Sequence, residues 1–307
     1  MYPMKLSPAL KDYIWGGDRL KREYGIESDL ERVAEAWVLS CHPDGPSIVL
    51  NGEYKGLTLS EVIEKEGKEL LGKNAESFEF FPILVKLIDA KSNLSIQVHP
   101  SDEYALENEG QFGKTEMWYV MDCDEGAYLY YGFDHEISPE EFKARIEDNT
   151  ICEVLNKVPV KKGDFFFIEA GTIHAIGGGL LIAEIQQNSN LTYRVYDYGR
   201  VGADGKPREL HVEKAQKVTS LKKPSIPYGA PTSARLASCK YFTSDIIEVS
   251  GEKMLSIEDD SFLSLLLLEG EATVGDISLK KGESLFIPAS FGNLKIEGNA
   301  KFISSKV

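Results

Sequence analysis

Alternating apolar and polar positions recur along this chain and predict strands far more often than helices. Leu94, Ile96 and Val98 interleave with Ser95, Gln97 and His99, so Gln97 and His99 leave the same face of one strand. Similar runs occupy residues 35–40, 48–50, 116–120, 165–174, 180–186 and 193–196. Residues 81–88 are apolar over a length that suits a buried strand. Helical signals are fewer. Thr58 with Glu61 forms a capping box that predicts a helix running through Leu71, with Leu59, Val62, Ile63 and Leu70 on one face. Ser138 with Glu141 opens a second helix from Pro139 to about Leu155, with Phe142 and Ile146 one turn apart. Residues 210–218 are amphipathic, and prolines at 224, 227 and 231 then mark a linker or an extended crossing.

Residues 240–307 read as short strands punctuated by glycine, with no long helical pattern. Lys161-Lys162-Gly163-Asp164 and the strand after it resemble Lys280-Lys281-Gly282-Glu283 and its strand, which predicts a repeated architecture. Carried forward, that register sets Asn293 opposite His174, and no histidine follows His211. A second copy would therefore lack what His174 does in the first. Many short strands with glycine turns predict a mainly β chain of sandwiches or jelly rolls. The expected units are residues 1–222, carrying a short helical insert near 138–157, and residues 235–307.

Composition narrows the function. The 307 residues are 42% hydrophobic and 27% charged, ordinary for a globular protein, and suffice for one large or two smaller domains. Lys and Arg total 34 against 49 Asp and Glu, a net charge of −15, which argues against nucleic acid and anionic membrane as partners. An anionic substrate would then need locally placed cations. The four cysteines (Cys41, Cys123, Cys152 and Cys239) show no CxxC pairing and read as reduced thiols. Residues 1–17 lack the apolar core of a signal peptide, and the apolar run at 262–268 is too short to span a bilayer. A cytoplasmic protein is the expectation.

Gln97, His99, Glu116 and His174 together offer an amide oxygen, two imidazoles and a carboxylate. That donor set suits a borderline divalent metal with a position left open for substrate or water. Each residue also has a plainer reading: a single histidine in a strand is usually a hydrogen-bonded core or surface group, and a single Glu is usually solvated. Arg194 in Tyr193-Arg194-Val195-Tyr196 is either stacked between aromatics or bound to an anion. Lys114 and Ser95 are either solvated or turned to a ligand, and Trp15 and Trp37 are core groups or the floor of a pocket. His42, His135 and His211 have no partner pattern, and Gly177-Gly178-Gly179 is a turn, since no helix follows it.

With Gln97-Val98-His99-Pro100, Lys114-x-Glu116, Gly171-Thr172-x-His174 and Tyr193-Arg194-Val195-Tyr196 in order, the chain resembles the type I mannose-6-phosphate isomerases in their short bacterial or archaeal form. The likeness runs from Trp15-Gly16 to about Leu210. It implies a double cupin: a catalytic jelly roll holding one zinc ion, a helical insert, and a C-terminal cupin-like unit without the metal site. It also implies interconversion of mannose 6-phosphate and fructose 6-phosphate, with a small sugar phosphate as partner. By resemblance the zinc ligands are Gln97, His99, Glu116 and His174, and the catalytic arginine is Arg194. Lys114 and Ser95 fall at the substrate end of the pocket, and Glu184 corresponds to a pocket carboxylate. Two positions depart from the family pattern: Ile176 stands where some members have tyrosine, and Asn190 where aspartate is common. Rival readings are a non-haem metal oxygenase, which two histidines and a carboxylate also suit, and a non-catalytic sugar-phosphate-binding cupin.

Overall fold

The computed structural model describes residues 1–202 and 205–307. Its strands form three sheets. In the first sheet the order is Phe165–Ile168, Glu116–Cys123, Leu180–Gln187, Ile83–Ala90, Glu35–Leu39 and Ala9–Lys11. In the second it is Tyr193–Tyr196, Ile96–Val98, His174–Ile176, Tyr128–Phe133 and Leu155–Pro159. Trp118, Val120, Ile182 and Ile88 of the first sheet pack on Leu129, Tyr131 and Ile176 of the second, making the core of a jelly roll. The first sheet is buried on its other face as well. Ile83, Val85 and Leu87, with Leu181, Ala183 and Ile185, meet Leu236, Leu266 and Phe286 of the third sheet and Phe242, which precedes its strand Thr243–Ile257. Two-sided burial of the strand Ile83–Ala90 explains why residues 81–88 read as an apolar run and not as an alternation.

The third sheet belongs to the C-terminal unit but starts at the N-terminus. Met4–Ser7 lies between Ser284–Ile287 and Ile48–Val49, paired antiparallel to both. The expected division at residues 222 and 235 is therefore crossed by the first strand. Several element expectations need correction. The C-terminal strands are long: Thr243–Ile257, Leu263–Val274 and Gly292–Lys306. Their glycines punctuate strands without ending them. Gly251 pairs with Gly298 inside one ladder, and a Cβ on Gly270 would stand 2.0 Å from the Asn299 carbonyl oxygen, so glycine is what permits that approach. The helix begun at Thr58 is Leu59–Glu66, broken at Gly67, with only a 3-10 turn over Lys68–Leu71. The helical insert is Pro139–Glu147; Asn149 takes a left-handed conformation (φ 59°), and a strand has begun by Leu155. Two helices, Arg19–Tyr24 and Asp102–Glu109, escaped the pattern reading altogether.

The internal echo is present as repeated geometry. The Asp164 and Glu283 carboxylates accept from the Lys161 and Lys280 amides at 3.0 and 2.8 Å. The Gly163 and Gly282 amides donate to Val120 and Leu267 carbonyls at 2.8 and 2.7 Å. Asn293 then lies near the start of Gly292–Lys306, much as His174 starts His174–Ile176.

Candidate metal centre and cleft

Register builds the site. In the second sheet Gln97 is paired with His174 on one side and Arg194 on the other. In the first sheet Glu184 is paired with Lys86 and with Trp118, and Gln186 with Glu116. Lys86, Glu184, Glu116 and Trp118 share the face that carries Ile88 and Ile182, so they point into the jelly roll. Between His99 and Lys114 the chain makes a closed excursion. Ser101 caps Asp102–Glu109, and the Lys114 amide returns to the Pro100 carbonyl at 3.0 Å. A Cβ on Gly113 would stand 2.4 Å from the Ser101 carbonyl carbon, so only glycine lets the chain close and set Lys114 and Glu116 beside His99.

His99, Glu116 and His174 converge, with one potential ligand atom from each lying within 4.8 Å of the others. His174 Nε2 is 3.3 Å from Glu116 Oε1, and His99 Nε2 is 3.7 Å from Oε2. Both imidazoles are oriented from behind: His99 Nδ1 lies 2.8 Å from the Leu191 carbonyl and His174 Nδ1 2.8 Å from the Thr172 carbonyl. An Nδ1–H donating to a carbonyl leaves Nε2 as a lone pair facing the cluster, the tautomer a metal ligand needs. Burial lowers both imidazoles, His174 to about 4, so both are neutral near pH 7. The Gln97 amide completes the group, 3.4 Å from His174 Nε2. Glu116 Oε1 is fully buried without a hydrogen-bond partner among the described residues. A buried carboxylate oxygen left bare beside two neutral Nε2 atoms fits a divalent cation, and these residues can hold one.

Next to the cluster stands an alternation of charges. Lys114 Nζ contacts Glu116, lies 3.2 Å from His99 Nε2 and 3.5 Å from Glu184 Oε1. Lys86 Nζ lies 3.3 Å from Glu184 Oε1 and 3.6 Å from Glu35 Oε2. Each outer carboxylate also accepts from an indole: Trp118 Nε1 to Glu184 at 2.8 Å, and Trp37 Nε1 to Glu35 at 2.7 Å. Burial alone would raise Glu184, yet Lys114 and Lys86 outweigh it and hold the carboxyl below its ordinary range. Glu116 moves the other way, raised by burial and by the charge of Glu184. Lys86 would be lowered by burial, but Glu35, Glu184 and Glu116 keep it protonated.

These groups open on a cleft of about 270 Å³ lined by Ser95, Gln97, Lys114, Glu184 and Arg194 among the expected residues. The Ser95 hydroxyl is turned to the Gln97 amide oxygen at 3.4 Å. Arg194 lines the cleft while its Nη1 donates to the Glu209 carbonyl at 2.8 Å, away from the histidine–glutamate cluster. Ile176 and Asn190, the two departures, also line it, and Asn190 reaches Asp44 at 3.1 Å. Trp15 is both core and cleft wall, whereas Trp37 is wholly buried. Lys86, Glu35, Tyr13 and Arg208 line the same cleft and were not anticipated. A signal existed for Lys86, a lone charge inside the apolar run of residues 81–88, in a strand buried over its whole length.

A jelly roll holding two buried histidines and a buried glutamate behind a cation-lined cleft, with Gln97 and Lys114 reaching both, defines a cupin with a candidate metal centre. Residues 4–128 match the family described as phosphomannose isomerase type I, catalytic domain, and residues 232–307 match mannose-6-phosphate isomerase, cupin domain. The chain is 40% identical to the mannose-6-phosphate isomerase of Streptococcus mutans, over 99% of this chain and 98% of the relative. The crystal structure of the mannose 6-phosphate isomerase from Bacillus subtilis superposes with a TM-score of 0.90 at 37% identity, covering 100% of both chains. The apo enzyme from Salmonella typhimurium shares the fold, with a TM-score of 0.80 at 20% identity over 100% of this chain and 99% of that one. The chain belongs to the type I phosphomannose isomerases. Membership favours an isomerase over the oxygenase and binding-only alternatives. Among the described residues the cysteines are free, and no helix is long and apolar enough to cross a membrane.

Proposed function

We propose that the cleft takes a hexose 6-phosphate and that the chain interconverts mannose 6-phosphate and fructose 6-phosphate through an enediolate, in the cytoplasm. The observation that carries this reading is the meeting of His99, Glu116 and His174 beside a cleft lined by Lys86, Lys114 and Arg194. Gln97, His99, Glu116 and His174 would hold one zinc ion per chain. A bound zinc ion supplies Lewis acidity toward the sugar oxygens, worth several kcal/mol to a developing oxyanion.

The remaining work falls to side chains. Arg194, with Ser95 nearby, holds the phosphate end, since a guanidinium can grip a phosphoryl group with two parallel hydrogen bonds. Lys114 donates to the oxygen on which charge develops. Glu184 removes the proton from C2 of the aldose and returns it to C1, while the O2 hydroxyl proton passes to O1, so the aldehyde becomes a ketone with a new C1 hydroxyl. Lys86 and Lys114 keep Glu184 ionised, the state from which a base must start, but they also make it a weak base. So weak a base removes a carbon-bound proton only if the oxygen side is strongly stabilised, which is why the lysines and the ligand set must stand together.

Two measurements test this. The purified protein is expected to carry about one equivalent of zinc, to lose isomerase activity on chelation and to regain it when zinc returns; full turnover by metal-free protein would overturn the assignment. Glu184→Gln is expected to abolish exchange of the substrate C2 proton with solvent while leaving zinc content intact. Exchange at the wild-type rate would remove Glu184 from the role.

A further inference from the structure

We propose that Arg208, held in place by Asp197, is a second phosphate-recognising guanidinium of the cleft, and that with Arg194 it makes the site selective for a dianionic phosphoryl group. This rests on the sugar-phosphate reading above and adds a binding residue and a positioning residue to it.

Asp197 follows the strand Tyr193–Tyr196 that carries Arg194, and only 5% of it is exposed. Its carboxylate takes a two-pronged grip from Arg208, Nε to Oδ2 at 2.7 Å and Nη2 to Oδ1 at 2.6 Å. Arg200 contacts Asp197 from another side, Nε to Oδ1 at 3.2 Å, and its Nη1 bonds the Asn93 carbonyl. Arg200 is therefore committed to the scaffold. Arg208 is not: the grip uses Nε and Nη2 and leaves Nη1 without a hydrogen bond among the described residues, while the side chain lines the same cleft as Arg194. Arg194 Nε is likewise buried without a partner among the described residues.

Charge points the same way. Arg194, Arg200 and Arg208 are close enough to act on one another and on Asp197, so among the described residues two positive charges go unmatched by that single carboxylate. Glu209, the other acid acting on Arg194, is exposed and screened by water. In a chain of net charge −15, a local excess of cations in a cleft calls for an anionic ligand, and a phosphate dianion matches it in charge and in acceptor geometry. Asp197 acts through Arg208: it fixes the plane of the guanidinium so that its outer edge stays available.

Arg208→Gln is expected to raise KM for mannose 6-phosphate about 10–100-fold, with the larger part of the loss in KM and not in kcat. It should raise the Kd of inorganic phosphate, measured calorimetrically, by a similar factor. Arg208→Lys should recover part of the loss, because a point charge replaces the fork. Asp197→Asn should weaken phosphate binding in the same direction, and the Arg208→Gln, Asp197→Asn double variant should lose little beyond Arg208→Gln alone, since both act through one contact. Thermal melting identifies a misfolded Asp197 variant, in which case Arg208→Gln, a partly exposed position, decides alone. Phosphate Kd and KM within twofold of wild type in Arg208→Gln would overturn the proposal, as would losses that simply add. The two readings fail separately: a wild type that binds phosphate through Arg208 without turning over mannose 6-phosphate sinks the isomerase and keeps this site. Turnover with phosphate binding indifferent to Arg208 does the reverse.

Discussion

Glu116→Gln is expected to empty the candidate metal centre and to lower kcat/KM for mannose 6-phosphate by roughly three orders of magnitude, the weight of about 4 kcal/mol of transition-state stabilisation. The substitution keeps the shape of the side chain and removes the only carboxylate among the four proposed ligands. Glu116 is fully buried, with Oε1 beside His174 Nε2 and Oε2 beside His99 Nε2. An amide in that place presents at most one acceptor oxygen, and its NH2 group faces a lone pair or a cation. Lys114 also loses its closest counter-charge but keeps Glu184 at 3.5 Å, so the fold should survive with a modest loss of stability. Elemental analysis and a coupled isomerase assay on the same preparation check the prediction. Retained metal with wild-type turnover would disprove the assignment of Glu116 as a ligand.

Local pattern exposed some of this site and hid the rest for a definite reason. Gln97 and His99 were legible because a period of two puts them on one face of one strand, Glu116 because it opens a strand-like run, and His174 because it closes one. Their convergence is a matter of pairing between strands 77 residues apart at Gln97 and His174, which no window of sequence reports. Glu184 was reached only through family likeness, and Arg194 mostly so, since the residues alone left it either stacked or bound to an anion. Glu35, Lys86 and Arg208 were missed because each is hidden by its surroundings: Glu35 in an ordinary alternation, Lys86 in an apolar run, and Arg208 in a stretch between the strand at 193–196 and the amphipathic piece at 210–218 that carries no element signal. The same limit applies to the fold. Strand periodicity and the Lys-Lys-Gly echo gave the two β units, but nothing local says that Met4–Ser7 pairs with Ser284–Ile287. Glycine punctuation suggests short strands, although Gly270 and Gly298 lie inside long strands and serve their close approach, where a Cβ would meet the Asn299 and Glu271 carbonyl oxygens.

The most informative position for testing the charge array is Lys86. Lys86→Met is expected to cost roughly 3–5 kcal/mol of stability, because it leaves Glu184 and Glu35 buried with their shared cation gone. For a chain of this size that corresponds to a melting point lower by roughly 10 °C. Activity should fall about 100-fold or more, since Glu184 then loses one of the two lysines that keep it ionised. The pH dependence has a definite sign. In the wild type the folded carboxyl of Glu184 is depressed, so its contribution to stability is present above the ordinary carboxylate range and fades as pH falls through the lowered folded value. Without Lys86 burial counts for more and the folded value rises. Once it exceeds the unfolded value, the contribution is present only at low pH and is lost as pH rises through it. The deficit of Lys86→Met relative to wild type should therefore be larger at pH 8 than at pH 5. Adding Glu184→Gln should recover much of the melting point and none of the turnover, because a neutral amide needs no buried cation but cannot take a proton from carbon. Equal melting deficits at both pH values, or a double variant less stable than Lys86→Met alone, would show that Lys86 packs in the sheet without governing the charge of Glu184.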